Sequence, residues 1–344
     1  MNKLLKSKVV FYLKIVVSVG ILCYFFTKIE YRKLSDILSN LELAFIPVLL
    51  VLIFMRNVLA AVRFNVLLPA GKTVNLWVLV KQYFIAAFFN SFLPTALGGD
   101  GVRVFLLKEC GIPKSQGASL IIIERFIGFF SLIVIAFVLT FFVPLPQQMH
   151  IAILVILTIN IVVWIIVSLF RRKTGTGKSM QKKQAFEMTP PKERHQADPE
   201  WVGGATPFWK KLTTAFVTIK LDKRVIAFTF FFSFLYQFVI IYTSYIIAVS
   251  FDMEIPLHLF LVVVPLVSFF IMIPFSLGGV GFREMSFVYL FSLFNIPGEK
   301  ALIVSLGTYL TLIVGALAGA VLFFYDKVFL KAAYGFENPG GEKK

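Results

Sequence analysis

Long apolar runs alternate with short polar segments along most of the chain. About 20 apolar residues cross the ~30 Å hydrocarbon core of a bilayer as a helix, so runs of this length predict membrane spans. Eight are predicted, at about 9–26, 44–62, 74–93, 115–143, 149–170, 225–250, 257–276 and 301–325. Residues 126–170 contain no Asp, Glu, Lys or Arg, but one helix of that length would be twice too long, so Pro144, Pro146 and Gln147 predict a turn. The predicted fold class is an all-α, polytopic membrane bundle.

Composition supports this class and excludes others. The chain of 344 residues is 58% hydrophobic and 15% charged, whereas soluble domains carry roughly 25% charged residues. A net charge of +16 would indicate nucleic acid in a soluble protein. Here the excess flanks apolar spans, where it sets orientation and contacts anionic lipid, so we expect no nucleic-acid partner. Two cysteines and three scattered histidines give neither a disulfide framework nor a metal site.

Three polar or amphipathic segments lie around these spans. Lysines precede the first span, and no small-x-small cleavage site follows it, so we predict an uncleaved span rather than a signal peptide. Apolar residues at helical spacing over 34–41 predict a short interfacial helix, with an ordinary amphipathic connector as the alternative. Residues 171–224 carry 13 Lys+Arg against 5 Asp+Glu and predict a largely disordered cytoplasmic loop, the alternative being a tether to anionic lipid.

Two segments repeat each other at an offset of 180 residues. Residues 93–103 read L-P-T-A-L-G-G-D-G-V-R and residues 273–283 read I-P-F-S-L-G-G-V-G-F-R, with six identical positions. Each copy ends a long apolar span and is followed by a short apolar segment, then Ile-Pro, then another span, with four extra residues in the second copy. This context indicates a duplication, with repeat units at about 44–143 and 225–325.

The short segments after the glycines, about 102–110 and 282–295, are too short to span alone. Nine and fourteen residues give helices of roughly 14 and 21 Å. Proline and successive glycines break a helix and permit a tight reversal, so the segments are predicted to be re-entrant half-helices.

The distribution of Lys and Arg predicts the orientation if each half-helix is counted as a crossing back toward the side from which its preceding span came. Basic segments then fall on the cytoplasmic side, both termini are cytoplasmic, and the two repeats are inverted. If the half-helices dip without crossing, the repeats are parallel instead. Inverted repeats with broken helices are typical of secondary transporters, whose site lies near the bilayer midplane.

These boundaries divide the chain into six parts. The predicted parts are 1–43 (first span and interfacial helix), 44–143 (repeat 1), 144–170 (connecting span), 171–224 (basic loop), 225–325 (repeat 2) and 326–344 (cytoplasmic tail).

The glycine turns are candidate anion sites. The N-terminus of each half-helix offers backbone N–H groups and the positive end of a dipole, and an arginine adds a bidentate donor. The candidate ligand is a lipid phosphate. The predicted residues are Gly98, Gly99, Gly101 and Arg103 in the first copy and Gly278, Gly279, Gly281 and Arg283 in the second. Alternatively, the glycines permit close helix packing and the arginines snorkel.

Ionisable residues inside the spans extend this set. Glu124 and Arg125 are adjacent, so on a helix they point about 100° apart and each needs another partner. Arg56 is predicted to pair with Glu124, and Asp100 with Arg125; the alternative is a structural ion-pair network without a substrate role. Further candidates are Asn90, Lys81 and Gln82 on the third span and Glu284 beside the second turn.

Three separated motifs carry a family resemblance. F-N-S-F-L-P at 89–94 with G-G-D-G-V-R at 98–103, E-R-F-I-G-F at 124–129, and P-F-S-L-G-G-V-G-F-R-E at 274–284 resemble the lysylphosphatidylglycerol synthase transmembrane region family, also called flippase-like. One departure is Glu124, where the family pattern has Asp before the Arg. The resemblance covers nearly the whole chain and implies a lipid flippase. In the best-known members an aminoacyl-transferase domain follows this unit; the present sequence ends at Lys344, so we expect no synthase activity.

The function expected from the sequence is translocation of an anionic or phosphate-bearing lipid across the cytoplasmic membrane, without enzymatic activity. No G-x-x-x-x-G-K-[ST] motif is present, so no nucleotide or other cofactor is expected. The expected partners are membrane lipids with anionic head groups, and an oligomeric state is not readable. The alternatives are an integral-membrane transferase acting on a lipid phosphate and a non-transporting membrane scaffold.

Overall fold

A computed structural model describes residues 39, 41–69, 72–92, 98–173, 222–272, 279 and 281–325. Nine α-helices lie in these residues: α1 Ile46–Val66, α2 Leu76–Phe92, α3 Gly98–Glu109, α4 Lys114–Leu139, α5 Gln147–Lys173, α6 Lys223–Ser250, α7 Leu257–Met272, α8 Phe282–Ser292 and α9 Gly298–Tyr325. A single 3-10 turn, Leu43–Phe45, precedes α1. No strand occurs in the described ranges, which confirms the all-α class.

Several sequence predictions fall outside these residues. They are the first span, nearly all of the interfacial helix at 34–41, the 174–221 part of the basic loop, and the 326–344 tail.

Four helices are long and apolar enough to cross a membrane, by length and composition. In the part of the chain that the structure describes, they are Leu43–Val66, Lys114–Leu139, Lys223–Ser250 and Gly298–Tyr325. Two shorter apolar segments, Gln147–Val162 and Leu257–Ile271, accompany them. The apolar helices support a multi-pass membrane protein.

Prolines set the helix boundaries as predicted. α4 begins directly after Pro113 and α9 directly after Pro297, where a missing backbone N–H costs nothing. Between α4 and α5, residues 140–146 form the turn that Pro144 and Pro146 predicted.

The two short helices α3 and α8 each run back along the helix before them. Lys72, just before α2, donates from Nζ to the Gly111 carbonyl just after α3, at 3.0 Å. In the second hairpin the rings of Phe260 and Phe291 are 5.3 Å apart and those of Phe270 and Phe282 are 6.4 Å apart. Each short helix therefore ends level with the start of its partner.

The helix bounds correct the predicted half-helices. α3 begins at Gly98 instead of 102 and ends at Glu109, and α8 ends at Ser292 instead of 295. The expected positive φ occurs only in the second turn, at Gly279 (84°) and Gly281 (83°). Gly98, Gly99 and Gly101 are helical, so none of them makes a left-handed turn, and close packing requires a glycine at Gly99.

α1 and α6 cross each other in opposite directions. The Glu42 N–H, just before α1, donates to the Ser250 carbonyl at the end of α6 at 2.8 Å. Towards the other end of α1, the Arg63 guanidinium lies 4.9 Å from the centre of the Tyr236 ring of α6. The two helices are therefore antiparallel.

The helix neighbours in 44–143 match those in 225–325. α1–α2, α2–α3 and α3–α4 pack together, as do α6–α7, α7–α8 and α8–α9. Between the two sets, α2 packs on α9 and the corresponding α7 packs on α4. One buried apolar cluster includes Phe64, Leu107 and Ile123, and another includes Phe260 and Phe291 together with Ile133 of α4, so α4 contributes to both.

The ends of the bundle differ in charge. We call one the basic end; its described charges are Lys72, Lys108, Lys114, Lys223 and Arg224 with Glu109 and Asp222. We call the other the acidic end; its described charges are Glu42, Asp252, Glu254 and Glu299 with Lys300. The residues of each group lie at the same end for two reasons. α1, α4, α6 and α9 each run from one end of the bundle to the other, and α3 and α8 return to the end at which the helix before them began.

Two glycines of the first turn differ sharply in their surroundings. A Cβ on Gly99 would collide with the Ala86 carbonyl of α2, whereas a Cβ on Gly101 meets nothing within 4 Å. We expect Gly99→Ala to force α2 and α3 apart and to lower the melting temperature in detergent, at a cost of about 1–3 kcal/mol. Gly101→Ala, two residues away on the same helix, should leave it unchanged or raise it slightly. Equal losses for the two variants would contradict this packing.

Candidate functional site

A buried carboxylate lies at the centre of the charged residues. Glu124, on α4, is 1% exposed. Its Oε1 accepts from Arg63 Nη2 at 2.5 Å and from the Tyr83 hydroxyl, and its Oε2 accepts from Arg103 Nη1 at 3.1 Å. One side chain thereby connects α1, α2, α3 and α4. A buried carboxylate is tolerated here because both of its oxygens accept hydrogen bonds.

Arg103 is held on both faces as well as at its edge. Its Nη2 donates to the Tyr83 hydroxyl at 2.8 Å, and its guanidinium carbon lies 3.9 Å from the Tyr83 ring centre and 4.7 Å from that of Phe64. The side chain is buried. The alternative that the arginine of the first turn snorkels does not fit this buried position.

The predicted partner of Glu124 is wrong and that of Arg125 is right. Arg63, one turn from the end of α1, occupies the place assigned to Arg56. Arg125 Nε lies 2.5 Å from Asp100 Oδ2, at the first glycine turn. Adjacent helix positions do diverge, so Glu124 and Arg125 find partners on different helices, as the 100° argument required.

Sequence reasoning missed two members of this network. No ion pair was predicted for Arg63, although its spacing of seven residues from Arg56 places both on one face of α1. Tyr83 carries no signal among many aromatic residues, because only the structure shows its hydroxyl between Arg103 and Glu124.

The second copy places its arginine over an aromatic ring. Arg283 on α8 is buried, and its guanidinium carbon lies 4.8 Å from the centre of the Tyr309 ring of α9. Glu284 is used locally: its Oε2 accepts from the Gly281 N–H at 2.6 Å and its Oε1 accepts from the Ser305 hydroxyl at 3.4 Å. The two copies therefore share a buried arginine but not its surroundings.

The two carboxylates of the first copy, Asp100 and Glu124, have no acidic counterpart at the matching positions of the second copy. At the offset of 180 residues, Val280 stands where Asp100 stands. After the four extra residues, Thr308 stands where Glu124 stands. The first copy is thus an ion-pair network, and the second carries neither carboxylate.

The glycine amides are less available than the sequence predicted. Asn90 Oδ1 accepts from the Gly99 N–H at 2.8 Å, and Glu284 occupies the Gly281 N–H. Internal side chains thus take amide positions that had been assigned to a lipid phosphate. Of the other predicted glycines, Gly101 is exposed, and Gly98 and Gly279 lie in the part of the chain that the structure describes. Gly278 lies outside that part.

The remaining candidate residues lie on α1 and α2. Gln82 is buried on α2 and its Nε2 lies 3.7 Å from Cys110 Sγ. Lys81 is half-buried on α2. Arg56 lies midway along α1, and its Nη2 would be 3.5 Å from a Cβ on Gly315 of α9. In the described part of the chain, no group of three or more His, Cys, Asp or Glu residues forms a candidate metal site.

A protein-family model matches most of the chain. The sequence model of the family described as Lysylphosphatidylglycerol synthase TM region matches residues 11–319. The chain belongs to this family. The match confirms the resemblance drawn from the three motifs, and all of the ion-paired side chains lie inside it. Comparison with curated proteins and with solved structures finds no match.

Removing Glu124 should destabilise the protein strongly. Glu124→Gln would leave Arg63 and Arg103 side by side without their shared counter-charge, and breaking a buried pair costs about 3–5 kcal/mol. We expect a clear fall in melting temperature in detergent and a partial recovery when Arg63→Gln is added. Asp100→Asn is the matched control; its partner Arg125 is 36% exposed in its side chain, so the loss should be smaller, about 1 kcal/mol or less. Equal losses for the two amides, or no recovery in the double variant, would contradict the network.

Proposed function

We propose that this protein moves an anionic or phosphate-bearing lipid across the cytoplasmic membrane. The observation that carries the proposal is a cluster of buried arginines that outnumbers its carboxylates, at the hairpins of a membrane bundle. In the described residues, the buried Arg63 and Arg103 share the single carboxylate of Glu124, whereas the partly exposed Arg125 pairs with Asp100. The buried pair therefore leaves an excess positive charge. Membership of a family named for a lipid synthase's membrane region supports a lipid as the ligand.

Inverted repeats form the second part of the proposal. α1 and α6 occupy corresponding places and run in opposite directions, and the helix neighbours correspond throughout. Both features support two halves of opposite orientation, with α3 and α8 as half-helices that enter from opposite faces. Secondary transporters of this kind bind their substrate between the halves near the midplane.

The proposed orientation follows from the charge of the two ends. The basic end carries the described lysines of the 66–76, 108–114 and 223–224 segments, and Lys/Arg accumulate on the cytoplasmic side of membrane proteins. The basic end is accordingly the cytoplasmic one, and both termini lie there.

In this mechanism the head group travels through the protein while the acyl chains stay in the lipid. Guanidinium groups bind phosphate bidentately, and their attraction is strong where water is excluded. Rocking of the two halves would then expose the site first to one leaflet and then to the other. The energy source is downhill flux or coupled protons.

A catalytic role has less support than transport. Both Glu124 oxygens already accept hydrogen bonds from arginines or tyrosine, so that carboxylate is not placed to take a proton from a substrate. Mass analysis of lipids after incubation with the purified protein tests this directly: a product of altered mass would favour a transferase.

Transport should depend on the two repeated arginines. In proteoliposomes containing fluorescent phosphatidylglycerol, we expect Arg103→Gln with Arg283→Gln to slow transbilayer movement at least tenfold. Lys108→Gln with Lys223→Gln removes the same charge from exposed positions at the basic end and should leave the rate unchanged. Melting temperatures of both double variants confirm that they are folded. A wild-type rate in the Arg103/Arg283 variant would refute the site assignment.

A further inference from the structure

Arg56 differs from the other arginines of the first repeat. It is the eleventh of the 21 residues of α1, about 15 Å from the helix start at 1.5 Å per residue. That position is close to the middle of a ~30 Å hydrocarbon core. An ionisable side chain at this depth is costly and normally marks a substrate pathway or a pair.

No described acidic residue pairs with Arg56. Among the described residues it takes part in no hydrogen bond and no ion pair, and the group that acts on it electrostatically is the Tyr236 phenol, not a carboxylate. Arg63 and Arg103, by contrast, both contact Glu124. Arg56 is thus a cation midway along a membrane helix whose counter-charge the described protein does not supply.

The surroundings of Arg56 connect it to the buried network. Its guanidinium lies beside Gly315 of α9, where a Cβ would be 3.5 Å from Nη2. Arg63 lies two turns further along the same face of α1, about 10 Å away, and the Tyr236 ring lies against it. Arg56, Arg63 and Arg103 therefore form a row of guanidinium groups from the middle of α1 to the first glycine turn.

The formal charges of this row do not cancel. Arg56, Arg63, Arg103 and Arg125 contribute +4, while Asp100 and Glu124 contribute −2, which leaves +2. Glu124 hydrogen-bonds to both Arg63 and Arg103 but neutralises only one of their charges, and Asp100 pairs with Arg125. One unmatched charge is therefore shared within the Glu124 network, and the other is at Arg56, which contacts no described carboxylate. An unpaired charge at this depth in a membrane helix is costly, and an anionic ligand removes that cost.

We propose that Arg56 is a binding site for a phosphate-class anion midway along the membrane helices, formed between α1, Tyr236 of α6 and Gly315 of α9. The site lies outside the two glycine turns. If the proposed transport is correct, this is the point at which the head group rests between leaflets. The anion chemistry itself does not depend on that transport.

The melting temperature of the purified full chain tests the site. Removal of an unpaired cation should raise the melting temperature, whereas removal of a structurally paired cation should lower it. In neutral detergent without added lipid, Arg56→Gln should melt higher than the wild type, since it removes an uncompensated charge. A lower melting temperature for Arg56→Gln would overturn the proposal, because the protein itself would then be satisfying Arg56.

Ligand dependence supplies the second measurement. Short-chain phosphatidylglycerol should raise the wild-type melting temperature, and short-chain phosphatidylcholine should not. Arg56→Gln should need at least tenfold more phosphatidylglycerol for the same shift, and Arg56→Lys should fall between. Arg224→Gln, an exposed arginine at the basic end, is the control and should respond as the wild type. An unchanged response in Arg56→Gln overturns the proposal.

Inorganic phosphate distinguishes the two sources of the anion. If phosphate alone gives the Arg56-dependent shift, the site recognises the phosphate group without its chains. If only the lipid does, the site recognises a head group attached to its chains. Both results support the site, and absence of any Arg56-dependent shift overturns it.

The outcome separates this proposal from the proposed function. Arg56-dependent lipid binding without lipid movement in proteoliposomes would refute transport and keep the site. Lipid movement together with an Arg56-independent response would refute the site and keep transport.

Discussion

The compensation of buried charge is the constraint on which the first half of this protein depends. Glu124 receives hydrogen bonds from three helices at once, and each of its partners is costly to bury alone. The position of α3 against α1 and α4 is therefore fixed by charge as well as by apolar packing. Close contact at Gly99 then brings α3 against α2, so that Arg103 reaches both Tyr83 and Glu124.

The second half reaches a similar shape by other means. Its short helix α8 begins at a left-handed glycine turn closed by Glu284, and its arginine packs on Tyr309. Apolar packing around Phe260 and Phe291 takes the place of the ion pairs. The two sets of helices thus share the same neighbours and a buried arginine, while the charge compensation differs. In our proposal this difference makes the two halves unequal partners in binding an anionic head group.

Much of the fold was predictable because its signals are local. Hydrophobic run length gave the long helices, Pro113 and Pro297 gave two helix starts, and the repeat gave the short helices, with boundaries wrong by up to four residues at α3. The pairing of Asp100 with Arg125 followed from helix geometry. The pairing of Glu124 did not, because the choice between Arg56 and Arg63 depends on how α1 rotates against α4. That rotation is set by contacts distant in sequence, as is the placement of Tyr83.

The central claim is that the two halves face opposite sides of the membrane, so corresponding half-helix ends must lie on opposite faces. Single cysteines at Lys108 and Ser292, exposed near the ends of α3 and α8, introduced after Cys23→Ser and Cys110→Ser, test this directly with a membrane-impermeant maleimide on intact cells. The account predicts labelling of the cysteine at 292 from outside, and of the cysteine at 108 only after permeabilisation. Labelling of both positions from the same side would contradict it.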